Sequence, residues 1–153
     1  MTERLRLRAV DAEDLSVIAA CLQDALVPLS EMAYLPDQRR FMAAFTRFQR
    51  ERMVDPDGAG GLTQSQSVLV LSDIEAVKFH GLDRRFGAVR FELLTLISEP
   101  AEDGLHITLL FAGDAAIQLH ARTIAATLED FGEPWHATAT PTHDWSLERP
   151  EEA

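Results

Sequence analysis

By residue type and spacing, His106 and His120 are the side chains of this sequence best suited to chemistry. Imidazole titrates near neutral pH and is the commonest protein ligand for transition metals. Both histidines fall on the non-core face of two strands expected to be neighbours. Pairing the apolar rows Leu105, Ile107, Leu109, Phe111 and Ile117, Leu119, Ala121 sets Phe111 opposite Ile117 and Thr108 opposite His120. His106 is then diagonal to His120, about 7–8 Å away. Glu92 shares that face but sits two cross-strand positions from His106, and a zinc site needs three or four close ligands. No metal ligand and no cofactor is therefore assigned, and two half-buried histidines on a sheet face is the simpler reading. A second candidate is positive charge. Arg4, Arg6 and Arg8 alternate along one strand, and Arg39, Arg40, Arg47, Arg50 and Arg52 flank or follow Phe41 and Phe45. If those two segments pair, Arg47 and Arg50 join a basic patch suited to carboxylate or phosphate. The simpler alternative is pairing with the chain's own 25 carboxylates. Cys21 lies in an apolar helical stripe with no neighbouring base and reads as inert. No Gly-x-Ser-x-Gly elbow is present, and the glycine-rich Asp55 to Thr63 stretch lacks the Gly-Lys-Ser/Thr end of a phosphate-binding loop.

The elements that would position these groups follow from periodicity. Residues 91–121 read as three antiparallel strands with side chains alternating between faces. Their core rows are Phe91, Leu93, Thr95, Ile97; Leu105 to Phe111; and Ile117 to Ala121, with Ile97 opposite Leu105 and Gly113-Asp114-Ala115 as the second loop. Ala121, Ile124, Ala125, Leu128 and Phe131 then recur at helical spacing, and Gly132 supplies a stop, so a second helix is expected near the C-terminus. Upstream, Leu5, Leu7 and Ala9 make a half-buried strand. Asp11, with Asp14 three residues on, caps a helix carrying Leu15, Ile18, Ala19 and Leu22. Residues 26–35 and 39–51 form a hairpin around Pro36-Asp37-Gln38, the second arm also fitting helical spacing. Residues 67–79 form two strands around a bend at Ser72-Asp73.

The non-core face also carries Leu94, Leu96 and Leu110, which need cover from the N-terminal helix, the first hairpin or a second subunit. In the last case the chain is a homodimer, or docks another protein, through that face. At 153 residues, 46% hydrophobic and 25% charged, the chain is a globular domain with one core. Residues 1–135 form that single domain and 136–153 a polar tail. No apolar run has the length of a membrane span and the N-terminus has no secretory pattern, so the expectation is a cytoplasmic protein. A net charge of −11 makes nucleic acid an unlikely partner, because a phosphate backbone is bound by matching cations.

With the elements placed, the sequence resembles a small bacterial family, domain-of-unknown-function family 2948. The resemblance is carried by Ala12-Glu-Asp-Leu15, Leu22-Gln-Asp-Ala25, Arg47-Phe48, Phe111-Ala-Gly113, the run Ala126 to Trp135, and Pro141-Thr-His143. It implies a cytoplasmic, single-domain protein with no assigned activity. Together these readings define an α+β fold with an antiparallel sheet of about six or seven strands. One helix follows the first strand and one lies near the C-terminus. A partly closed barrel resembling the pleckstrin-homology type is the most specific architecture. The expected function is non-enzymatic binding or protein interaction; the alternative is a small or metal-dependent enzyme using His106, His120 and a carboxylate.

Overall fold

A computed structural model describes residues 5–48, 63–82 and 89–136. Strand β1 (Arg6–Ala9) leads into the one α-helix of these residues, α1 (Ala12–Leu22). Asp11 caps α1 by accepting from the Asp14 N–H at 2.8 Å, and the Asp14 carboxylate accepts from the Val10 N–H at 3.0 Å. Its buried stripe of Leu15, Ile18, Ala19 and Leu22 packs on the sheet. Asp24, at φ 69°, turns the chain out of the helix. Strands β2 (Leu26–Pro28), β3 (Met32–Leu35) and β4 (Arg40–Phe48) follow. The expected hairpin is β3 with β4, pairing Met32 with Ala43 and Tyr34 with Phe41, so the second arm is strand. Its alternation buries Phe41, Ala43, Phe45 and Arg47 on one face.

β5 (Thr63–Leu71) and β6 (Ile74–His80) are separated by the bend at Ser72-Asp73, where Asp73 has φ 60°. Then come β7 (Arg90–Ala101), β8 (Gly104–Phe111), β9 (Ala115–Ala121) and β10 (Ala126–His136). The sheet thus has ten strands among the described residues, not six or seven, in the order β1-β10-β5-β4-β2-β7-β8-β9-β6, with β3 on β4. Its hydrogen-bonded path is open, with edges at β1 and β6, so the expected barrel does not close. The bends joining β5 to β6 and β9 to β10 lie side by side, held by Ser72 N–H to Ala125 O at 2.8 Å and Arg122 N–H to Asp73 O at 3.0 Å. The apolar core lies between the inner face of this curled sheet and α1.

Three further expectations are corrected. The C-terminal helix is strand β10, paired with β1 and β5 on its two sides. Ile124 and Ala125 fall in the bend, while Ala126, Leu128 and Asp130 alternate inward. The β8–β9 register is displaced by two residues, with Phe111 opposite Ala115 and Leu109 opposite Ile117, so the loop is Ala112-Gly113-Asp114. A two-residue displacement preserves faces, which is why the apolar rows alone could not detect it. In β7 a bulge between Leu93 and Thr95 reverses the alternation. Leu96 therefore enters the core at 5% exposure, while Leu94 is 46% exposed, Leu110 is half-buried and Ile97 faces outward. Leu94, Leu96 and Leu110 do not form one apolar outer face. The polar tail expected from residue 136 lies, beyond His136, outside the described residues.

Candidate functional site

The displaced register changes the relation of the two histidines. His106 and His120 are directly opposite on β8 and β9, with ring centres 5.3 Å apart and planes at 69°. They are half-buried in an open groove of about 720 Å³ on the outer face of β6, β8 and β9. Ala76 and Lys78 of β6 line it together with Gln118 of β9, and the end of β7 contributes Pro100 and Ala101 and the β7–β8 turn Glu102 and Asp103. That turn is tight: Asp103 has φ 60° and Gly104 φ 139°, and a Cβ on Gly104 would run into the Ala121 carbonyl oxygen of the adjacent β9.

The carboxylate nearest His120 is Glu75, whose Oε1 lies 3.8 Å from His120 Nε2 and whose Oε2 lies 3.4 Å from Arg122. Glu92, considered from the sequence, pairs instead with Leu26 of β2. Glu75 was missed because it sits in a bulge between Ile74 and Ala76, which no alternation pattern marks. Lys78 and Gln118 are cross-strand partners and could have been found by extending the outward rows to β6. The groove wall offers two imidazoles, an ammonium, an amide and two carboxylates, with no hydroxyl or thiol among its lining side chains.

Among the described residues the arginines are not gathered into one patch. β1 pairs with β10 rather than with β4, and Arg6 bridges to Glu129 at 2.6 Å across that pair. Arg8, Arg39 and Arg40 are exposed, and Arg50 lies outside the described residues. Arg47 is 1% exposed and occupies the inner face, which turns polar at one level of three neighbouring strands: Arg47 after Phe45 on β4, Ser67 and Ser65 after Leu69 on β5, Asp130 after Leu128 on β10. Arg47 grips Asp130 in a two-point fork, Nε to Oδ1 at 3.1 Å and Nη2 to Oδ2 at 3.0 Å. Ser67 Oγ donates to Oδ1, and the Leu5 N–H donates to Oδ2 at 3.0 Å. Burial pushes the Asp130 carboxyl up, but these bonds and the Arg47 charge outweigh it and hold it below the ordinary carboxylate range. A buried guanidinium so engaged cannot meet an outside ligand. Cys21 is half-buried against the core.

A family model described as Protein of unknown function (DUF2948) matches residues 5–143. The chain belongs to that family. No curated protein and no solved structure matches it. Both halves of the buried ion pair and both groove histidines fall within the stretch matched by the DUF2948 model. Among the described residues of this DUF2948 member, no helix is long and apolar enough to cross a membrane.

Proposed function

We propose that this DUF2948 chain is a cytoplasmic, non-enzymatic binding module whose recognition surface is the outer groove of β6, β8 and β9. The observation that carries this reading is a pair of half-buried imidazoles in an open groove whose lining mixes hydrogen-bonding groups with the small apolar surfaces of Ala76, Pro100 and Ala101. Such a mixture suits orientation of a ligand. The enzymatic alternative finds its carboxylate in Glu75, but 3.8 Å is too long for the hydrogen bond that would orient His120 as a base. The groove also lacks a hydroxyl or thiol for that base to activate.

The test is NMR mapping. Isotope-labelled chain is titrated with a panel of small metabolites and short peptides, and amide shifts are followed. Binding is expected to perturb Ala76, Lys78, His106, Gln118 and His120. An Ala76→Trp variant, which fills the groove from an exposed position on β6, should lose these shifts while melting as the wild type does. Shifts confined to another face, or conversion of any panel compound to product, would overturn the proposal.

A further inference from the structure

The groove has a property that the diagonal placement expected from sequence would not have given it. A metal–nitrogen bond is about 2.0–2.1 Å and a ring nitrogen lies about 1.1–1.2 Å from the ring centre, so two imidazoles on one tetrahedral ion have centres about 5.2 Å apart. The His106 and His120 centres are 5.3 Å apart. The same spacing suits an edge-to-face ring pair, so the two backbones and the ring contact hold it without an ion. The remaining adjustment is rotation of each ring about Cβ–Cγ, a broad torsion that leaves the ring centre nearly in place.

Charge around the pair favours a cation. Glu75 is 3.8 Å from His120 Nε2, Glu99 is the cross-strand partner of His106, and Glu102 and Asp103 line the groove. Against these four carboxylates stand Lys78 in the groove and Arg122 on Glu75. An anionic ligand would meet net repulsion, whereas a divalent cation gains from the field. Among the described residues no three His, Cys, Asp or Glu side chains gather into a metal cage, so a closed structural site is not formed.

We propose that His106 and His120 form a two-imidazole chelate for a late first-row divalent cation (nickel, copper(II) or zinc), with water in the other positions. The donor type selects this class, because imidazole suits these ions and hard carboxylate-seeking cations gain little from it. The open coordination makes the ion exchangeable, and it leaves positions for a donor atom of whatever occupies the groove. The inference rests on the reading of the groove as a binding surface and names one ligand class for it.

The experiment is calorimetric titration of the tag-free full chain with zinc and copper(II) chloride, with histidine ring resonances followed in parallel under zinc. The wild type is expected to bind one equivalent, with zinc shifting the rings of His106 and His120 and copper(II) binding tighter than zinc. His106→Gln and His120→Gln should each weaken binding at least about ten-fold, since even indirect partners of a metal ligand matter that much. Glu75→Gln should weaken it less. Both histidines point outward, so the variants should melt as the wild type does in chelator, and either one alone suffices for the comparison. Wild-type chain that takes up no ion, or glutamine variants that bind with the wild-type affinity, overturns the metal inference. The reading of the groove as a binding surface falls separately, when organic ligands and peptides bind elsewhere.

Discussion

Replacing Asp130 by leucine would leave the Arg47 guanidinium charged, desolvated at 1% exposure, and deprived of its two-point partner. Loss of one member of a buried ion pair costs about 3–5 kcal/mol, because the surviving charge has no water to return to. For a domain of this length each kcal/mol moves the melting point by about 2–4 °C, so the expected fall is about 6–20 °C. Arg47→Met removes the other charge but leaves Asp130 accepting from Ser67 and from the Leu5 N–H. In the double variant neither charge is left. The Ser67 hydroxyl and the part-buried Leu5 N–H lose their Asp130 acceptor, at about 1–3 kcal/mol for a buried group and less for a part-buried one. The double variant should therefore be more stable than Asp130→Leu alone, with a coupling of about 2 kcal/mol or more in a double-mutant cycle read by urea unfolding. Additivity of the two single effects to within about 0.5 kcal/mol would refute the argument that the pair acts as a unit.

The same carboxylate predicts a pH dependence. Its folded pKa is lowered, so the unfolded chain binds the proton more tightly; the stability from Asp130 is full above the unfolded value of about 3.9 and is lost as pH falls through the folded one. Urea midpoints from pH 7 to 3 should fall less steeply in Asp130→Asn than in the wild type, and equal slopes would contradict the assignment. The bulge in β7 makes a contrast between neighbours: Leu96→Ala should cost about 2–4 kcal/mol as a core deletion, and Leu94→Ala less than about 0.5 kcal/mol. Equal losses on urea unfolding would mean that the alternation is not reversed there.

Legibility of the fold tracked how strictly each segment obeyed one period. Strand β1, helix α1 with its Asp11 cap, the β3–β4 hairpin, the bend at Ser72-Asp73 and strands β7 to β9 follow from alternation and turn residues. β10 did not, because its inward position 130 is a carboxylate, and an apolar count skips it and picks up Ile124 and Ala125 from the bend instead. Asp130 is tolerated there through Arg47, 83 residues away, together with Ser67 and the Leu5 N–H, all distant in sequence, so local pattern carries no sign of it. The histidines were visible as a pair on an outer face. Their direct opposition depends on a loop that could take either of two registers, and Glu75 depends on a bulge.

The position of β10 also dictates an order of assembly on the ribosome. β7, β8 and β9 pair with one another in succession, so that meander can form as it emerges, with the earlier strands β2 and β6 on its two sides. β1, made first, has no strand partner until β10 begins to appear at Ala126, Arg6 meeting Glu129 123 residues on, and β5 keeps one bare edge until the same moment. Throughout that interval Arg47 lacks the Asp130 carboxylate and the β4–β5 pair presents an unfinished strand to other chains. A chain stalled before Ala126 thus carries a preformed half-sheet with an adhesive margin, and release of the 11 residues of β10 is the event that seals it.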